Sequence, residues 1–536
     1  MKNKIFAAVL AVVLLSASLF TASVPAAKAA LSTNASASVV IGQQNMTASD
    51  GNQGATAAAN TLFNPRGMWS DGTKLIVADE LNSRVLIYNS IPTSANASAN
   101  VVIGQPDMTS STENQGLAVA ANTLSHPYSV YSDGTMLFIA DAGNSRVLIY
   151  NHIPTTNNVS ANVVVGQADM ASSGENQGGT AAANTLFGPI GVYSDGIKLV
   201  IEDGTNNRVL VFNSIPTSNN ASADVVIGQA DKTSNDFNQG GVTPTANTLY
   251  ASYGLFSDGK KLFIADWGND RVLVYNSIPT ADNASADVVI GKPDMTAPSD
   301  SAAAAANTLL FPSEVASFGN RLAVTDRANH RVMVYNSIPT ANGASADVVI
   351  GQADMTGDTV NQGGSTAANT LSNPRGVAFG GTKMFIADTE NNRVLVYDFG
   401  PQYALGKSQA ASLWNGEKMK IKKNRFEFSG KRTDLKKGQV RLLVGGVSRK
   451  VVKIKSSGKW KIKYNHKAAA TVQIRFKFYN SHGTAIQAPE TYVVQVNHKS
   501  KLTPVMFKTA DLKPMSLDGT AKGEKSQKAD RADVKW

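Results

Sequence analysis

Along most of this chain, apolar residues fall into short runs cut at regular intervals by polar turns. Residues 127–165 show the unit. Pro127 precedes a short run at 129–131. The turn residues Ser132-Asp133-Gly134-Thr135 follow, then the apolar run 137–140 (LFIA), a second turn at 141–145 (DAGNS) and the run 146–150 (RVLIY). A polar loop from Pro154 to Asn162 leads to a last run at 163–165. Short runs rich in β-branched and aromatic residues, bounded by Gly, Asp, Asn and Ser, predict strands. Asp bonds its own following backbone and Gly tolerates positive φ, which suits both turns. The LFIA run is apolar at successive positions, so both of its faces are expected to be covered. Each unit thus predicts four short strands joined by tight turns.

The unit recurs six times. The VVIG-type run begins at Val39, Val101, Val163, Val225, Val288 and Val348, at spacings of 62, 62, 62, 63 and 60 residues. A fixed period of this length means one supersecondary unit per repeat, stacked in an array. Four strands per repeat with turn signals between them is a blade of a β-propeller, and the fold class predicted is all-β. Five VVIG runs follow a preceding RVLVY strand. The sixth RVLVY, ending at Tyr397, has none after it, and the unmatched VVIG at Val39 lies ahead of the first blade. It can supply the outer strand of the sixth blade, so the chain's two ends would shut the ring and cover an open sheet edge. The count works for six blades.

A D-x-x-N-x-R turn recurs in every unit, as Asp79/Arg84, Asp141/Arg146, Asp203/Arg208, Asp266/Arg271, Asp326/Arg331 and Asp388/Arg393. With P-x-G-V upstream of it, this pattern resembles the NHL-repeat family over about residues 39–400. The resemblance implies a six-bladed propeller used as an interaction scaffold. Blade four replaces the Pro with Ser252, and blade five reads Ser313-Glu314-Val315. Residues needed in every blade are expected to serve the blade: Asp capping the turn, Asn taking the left-handed conformation, and Arg pairing with Asp or a nearby carbonyl.

Function is expected where the repeats disagree. The position after the motif Pro should lie near the central channel, and it reads Arg66, Tyr128, Ile190, Tyr253, Ser313 and Arg375. Arg66 and Arg375 belong to neighbouring blades of a closed ring. Two guanidiniums there could hold a carboxylate, phosphate or sulfate, and the tyrosines could stack on a sugar or peptide. Alternatively, these arginines pair with Glu314 or a turn aspartate. Trp267 and Arg327, variable residues of the D-x-x-N turns, are candidates on the same face. The NQG loops, such as Asn52-Gln53-Gly54, could bond sugar hydroxyls or organise their own loops. Six-bladed lactonases and amidating lyases share this architecture and use inward His or acidic groups on a metal. Here the three propeller histidines, His126, His152 and His330, occupy different repeat positions. No G-x-S-x-G, phosphate-loop or H-E-x-x-H motif occurs. No catalytic or metal-binding residue and no cofactor are expected. A channel hydrolase or lyase, or a structural surface protein, is the rival to a binding scaffold.

Composition changes the picture at both ends. Lys2 and Lys4 precede an apolar run, and Ala27-Lys28-Ala29 reads as a cleavage site, so residues 1–29 are expected to be a secretory signal peptide. No later apolar run is long enough to span a membrane. The chain has no cysteine, which excludes disulfides and thiol chemistry. The net charge of +10 hides an asymmetry. Residues 31–400 carry 17 Lys and Arg against 31 Asp and Glu, a net of −14; residues 401–536 carry 30 against 9, a net of +21. Nucleic acid is therefore not expected as a partner, although the whole-chain pI alone would suggest it.

After an expected linker at 401–415, residues 416–498 alternate apolar with polar or basic positions in six or seven short stretches. This predicts a small immunoglobulin-like β-sandwich. Its outward positions include Lys453, Lys455, Lys459, Lys461, Lys463, Arg475 and Lys477. They are either a solvated face or a contact for an anionic envelope polymer. Residues 501–536 read as a disordered charged tail. The overall expectation is an exported binding protein that takes a protein, peptide or glycan on the loop face of its propeller.

Overall fold

The computed structural model describes residues 31–398 except 300, 301 and 319, and, further on, the strands between 410 and 508. The expected signal peptide and the chain after 508 lie outside the described residues.

Six four-stranded antiparallel sheets form a six-bladed β-propeller. The inner strands are Pro65–Ser70, Pro127–Ser132, Pro189–Ser194, Gly254–Ser257, Pro312–Phe318 and Gly376–Gly380. Each runs from the face that carries the D-x-x-N turns to the face that carries the SDG-type turns. The second strand then returns, so that Pro127 pairs with Asp141 at one end and Ser132 with Leu137 at the other. Ring closure follows the expected route. Val39–Ile41 pairs with Arg393–Asp398, Val39 opposite Val396 and Ile41 opposite Val394.

The apolar second strands fill the space between blades. Leu75 and Val77 pack with Phe385 and Ala387 of blade six, while Ile76 and Ala78 pack with Leu137 and Ile139 of blade two. Successive side chains point to opposite sheet faces, so a strand covered on both sides must be apolar at every position. The glycine of VVIG has a steric cause. Gly42 has φ +89°, and a Cβ there would lie 2.6 Å from Leu62 Cδ1.

The repeated turn is a buried clasp. Asp79 Oδ1 accepts from Phe63 N at 2.7 Å, and Oδ2 accepts from Arg84 Nε at 2.7 Å and Asn82 Nδ2 at 2.8 Å. Arg84 also donates to the carbonyls of Met108, Ala58 and Thr61. Asp and nearby carbonyls, the partners expected for this arginine, are both taken in each blade. Arg208 pairs with Asp203 and donates to the carbonyls of Lys232, Ala182 and Thr185. Arg271 pairs with Asp266 and reaches Met295, Thr245 and Thr248 in the same way. Arg331 pairs with Asp326 and reaches Met355, Ala305 and Thr308. A guanidinium has five N–H donors, so one carboxylate cannot satisfy it once it is buried, and the carbonyls take the remainder. The six Asp–Arg pairs measure 2.6–2.7 Å, and all twelve side chains are fully buried. With its donors committed to protein acceptors, this arginine holds the blade and is not offered to a ligand.

The motif asparagine is not left-handed, contrary to the sequence expectation. Asn82 lies in a short 3-10 turn, and the next residue, Ser83, takes φ 47°. The asparagine side chain explains this: it bridges Asp79 and Asn52, the latter at 2.8–2.9 Å, which fixes its backbone inside the turn. The left-handed residue that follows reaches the next blade in four seams. Asn207 accepts from Ala251 N at 2.7 Å, Asp270 from Phe311 N at 3.0 Å, His330 from Asn373 N at 3.0 Å and Asn392 from Asn64 N at 2.8 Å.

The NQG amides organise their own loops. Gln53 Nε2 donates to Asn60 O at 3.0 Å and Asn96 Oδ1 at 2.9 Å.

The C-terminal strands form two antiparallel sheets. One orders Ala410–Ser412, Lys418–Lys422, Arg425–Lys431 and Lys459–Asn465; the other orders Val447–Lys453, Gln439–Val444, Ala470–Tyr479, Ala485–Val496 and Met506–Lys508. Ala410–Ser412 falls within the expected linker and Met506–Lys508 within the expected disordered tail. Both are edge strands held by backbone pairing, which needs no apolar alternation in the side chains. Lys453, Lys455, Lys461 and Lys463 are exposed and Ile462 is buried. The side chains of Lys459, Arg475 and Lys477 lie outside the described residues. Among the described residues no helix is long and apolar enough to cross a membrane.

Candidate functional site

The loop that leads into each inner strand and the D-x-x-N turn meet on one face, as in the bonds from Leu81 N to Phe63 O and from Gly268 N to Tyr250 O. Two positions per blade reach the axis from this face: the residue after the motif Pro and the first residue of the turn. In five of six blades at least one of them is aromatic or charged.

These positions converge. Arg66 forms a two-pronged ion pair with Glu80, its NH2 group 2.7 Å from Oε1. Its guanidinium carbon lies 3.9 Å from the centroid of the Tyr128 ring. Arg66 NH1 also reaches Tyr253 Oη at 3.3 Å, and Arg375 NH1 approaches the same oxygen at 3.4 Å. Blades one and four stand opposite each other in a ring of six, so the Arg66–Tyr253 contact crosses the axis. Tyr128 and Tyr253 are 6.0 Å apart between centroids, and the chain of rings continues through Trp267 at 6.0 Å to Phe311 at 4.5 Å. Arg327 stands 5.9 Å from the Tyr253 ring centroid. All six sequence candidates therefore lie in one cluster at the loop face.

The charges in this cluster do not balance. Three guanidiniums, Arg66, Arg327 and Arg375, gather where Glu80 is the one carboxylate paired with any of them among the described residues. The partner of Arg66 is thus Glu80, not Glu314 or a turn aspartate as the sequence alternative had it; Glu314 lines a cavity nearer the other face. Burial, followed by repulsion from Arg66 and Arg327, pushes Arg375 below the ordinary arginine range, and its Nε is buried without a hydrogen-bond partner. Burial alone would raise Tyr253, but the Arg66 and Arg375 guanidiniums hold it below the ordinary tyrosine range. Trp267 Nε1 is likewise buried and unpartnered. A site with surplus positive charge, an unused guanidinium donor and flat aromatic walls suits an anionic group attached to a ring or chain.

Two acidic residues escaped sequence reasoning. Glu80 occupies the turn position of Trp267 and Arg327. Glu202 stands in an apolar second strand, Leu199–Asp203, where blades one, two, four and six have Ala78, Ala140, Ala265 and Ala387. The break in the LFIAD pattern to LVIED was the available signal. Glu202 fits because Gly191 leaves it room: a Cβ on Gly191 would lie 2.6 Å from Oε2. Burial pushes its carboxyl up to about 8. The Ser252 hydroxyl and Gly254 N–H lie nearby, yet both carboxyl oxygens and Ser252 Oγ lack a partner in hydrogen-bond geometry. Glu314 replaces the motif glycine of blade five; burial raises it well above the carboxylate range, and the nearby Glu202 adds to the shift. Among the described residues no three His, Asp or Glu side chains gather as a metal-binding set.

No family model matches the chain, and no curated protein matches it in sequence. Among solved structures it is similar to a chain of a nidogen/laminin complex, at 13% identity and a TM-score of 0.29, covering 53% of this chain and 83% of that one. It is similar to an extracellular domain from Bacteroides thetaiotaomicron, at 10% identity and a TM-score of 0.33, covering 83% and 59%. Similarity also extends to a glutaminyl cyclase of Myxococcus xanthus, at 11% identity and a TM-score of 0.26, covering 51% and 94%.

Proposed function

We propose that this chain is an exported, non-enzymatic binding scaffold of the NHL-propeller kind, whose loop face captures an anionic group of a glycan, peptide or protein. The observation that carries this reading is the cluster of three guanidiniums of which only Arg66 is paired with a carboxylate among the described residues, with Arg375 Nε unpartnered. Arg66 is committed to Glu80, Tyr128 and Tyr253, so it positions the cluster. Arg375 and Arg327 are the groups a ligand would meet, and Trp267 and Tyr253 supply apolar faces beside them. The C-terminal sheets, with exposed Lys453, Lys455, Lys461 and Lys463, serve as a second contact for anionic envelope polymer. Export rests on the basic and apolar pattern of residues 1–29.

The test is a binding screen of the full chain against uronic-acid, sulfated and phosphate-bearing glycans and their neutral counterparts. Selective binding of the anionic members, reduced by Arg375→Ala, is the expected result. Equal binding of neutral and anionic members, or binding indifferent to Arg375, would overturn the reading.

A further inference from the structure

A cavity of ≈ 120 Å³ enters between the SDG-type turns and is lined by inner-strand residues of blades one to six. Its walls are asymmetric for a reason that can be read from register. Trp69, Tyr131, Tyr193 and Phe256 occupy the same position in blades one to four, paired across to Ile76, Phe138, Val200 and Phe263. Blades five and six carry Ala316 and Ala378 there, paired to Ala323 and Phe385. Four consecutive large rings thus face two alanines, and the space lies between them. The rings are close: Tyr131 and Tyr193 are 4.8 Å apart between centroids, and Tyr193 and Phe256 are 6.0 Å apart. Phe318 and Phe379, 5.9 Å apart, border the small side.

The polar groups of this cavity are acidic. Glu314, at the glycine position of blade five, contributes the carboxyl within it, and Asp195 and Asp258 stand in its rim. Among its described lining residues there is no lysine or arginine. The lysines of the neighbouring turns point outward instead. Lys74, Lys198 and Lys261 bond Asn89, Asn213 and Asn276, and Lys383 pairs with Asp398 at 2.7 Å. An aromatic enclosure with a carboxyl inside and no lysine or arginine among its described lining residues is attractive to positive charge. Ring faces are electron-rich, and they favour a cation whose charge is spread over methyl groups and is weakly hydrated.

We propose that this cavity binds an organic cation, an alkylated or quaternary ammonium group, with Trp69, Tyr131, Tyr193 and Phe256 around the charge and the Glu314 carboxyl, which gives up its proton as the cation enters, beside it. This site is separate from the loop-face cluster and of opposite electrostatic sign. It sits where the blades disagree in ring size, as the loop-face cluster sits where they disagree in charge.

The experiment is calorimetric titration of the full chain with choline and tetramethylammonium, beside 3,3-dimethylbutanol, the uncharged counterpart of choline. Saturable binding of the cations is expected, at least about tenfold tighter than the neutral alcohol. Burial holds the proton on Glu314, so a bound cation must displace it: cation affinity should rise with pH in the native chain, and Glu314→Gln should remove that rise, weaken the cations by about tenfold at alkaline pH and leave the alcohol unchanged. Tyr131→Leu, on the opposite wall, keeps apolar volume and removes the ring face; it should weaken the cations as well, which carries the test if the Glu314 variant does not fold. Arg375→Ala, at the loop face, should leave cation binding unchanged, so that failure of this site and failure of the loop-face reading are separable. Equal affinity for alcohol and cations, or no saturable binding of the cations by the folded chain, would overturn the proposal.

Discussion

Glu202 makes a sharp energetic prediction. It is a fully buried carboxyl in an apolar strand, and its two oxygens lack hydrogen-bond partners. Its folded-state value is about 8, against an ordinary 4.5. A carboxyl raised on folding contributes nothing adverse below 4.5, where both states hold the proton. Above that, the unfolded chain releases the proton while the folded chain keeps it, so stability falls with rising pH until the folded group also ionises near 8. Each pH unit between the two values costs about 1.4 kcal/mol, so the cost is about 3 kcal/mol at pH 7 and approaches about 5 kcal/mol above pH 8. Glu202→Gln keeps the shape and removes the titration. Urea denaturation of the two proteins from about pH 4.5 to 9 should give similar stabilities at the acid end and a gap that widens with pH, with the variant about 3 kcal/mol more stable at pH 7. Parallel curves would refute the assignment of an unpaired buried carboxyl. A residue this costly where four blades have alanine is an exception to the repeat, and exceptions are where this chain concentrates its charged and aromatic channel groups.

Two further outcomes follow from the clasp and the seams. Arg146→Lys replaces a guanidinium that serves Asp141 and the carbonyls of Met170, Ala120 and Thr123 with a single ammonium. It should destabilise the propeller by about 3 kcal/mol in urea denaturation, since a broken buried pair leaves acceptors unsatisfied; a loss under about 1 kcal/mol would contradict the structural role of the turn. His330 accepts from Asn373 N across the seam between blades five and six, and burial lowers its pKa. Its contribution is fully present above the ordinary histidine value of 6.5 and is lost as pH falls through the lower folded value. His330→Asn, which places there the residue that blades three and six carry as Asn207 and Asn392, should flatten this part of the thermal-melting profile between about pH 7 and 5; an unchanged slope would place the sensitivity elsewhere.

What recurs in this chain is legible in its sequence. VVIG, LFIAD and RVLVY repeat because each blade must cover both faces of its strands, and one unmatched VVIG is enough to predict how Val39–Ile41 closes the ring. The pairing of Asp79 with Arg84, and of its five counterparts, is legible for the same reason; that each arginine also gathers three carbonyls is not, because those carbonyls lie in loops 23 to 26 residues away, as for Arg208 with Ala182 and Thr185, or, for Arg393 with Met46, 347 residues away across the ring closure. Four of the loop-face candidates, Arg66, Tyr128, Tyr253 and Arg375, emerge from one variable column, and Trp267 and Arg327 from the first position of the turn. Glu80 is not recognisable as the counterion of Arg66, because the two lie in different columns and meet only through the approach of turn and inner strand. Glu202 is hidden in a strand that reads as uniformly apolar. The ring of Trp69, Tyr131, Tyr193 and Phe256 looks like ordinary strand residues, since only register shows that Ala316 and Ala378 stand opposite and leave space. The asparagine of the turn is misjudged when its propensity for the left-handed region is weighed without the side-chain bridge to Asp79 and Asn52.

Binding of an anionic group by the loop-face guanidinium cluster is directly measurable. Its most direct measurement is the affinity of the full chain for a uronic-acid oligosaccharide and its carboxyl-reduced neutral counterpart, compared with the Arg375→Ala and Arg327→Ala variants. All would retain the C-terminal lysines. The expected result is preference for the charged sugar and a loss of about tenfold or more in each variant, as for removal of a charged hydrogen-bonding group. Undiminished affinity in both variants would contradict it and assign binding to the C-terminal sheets.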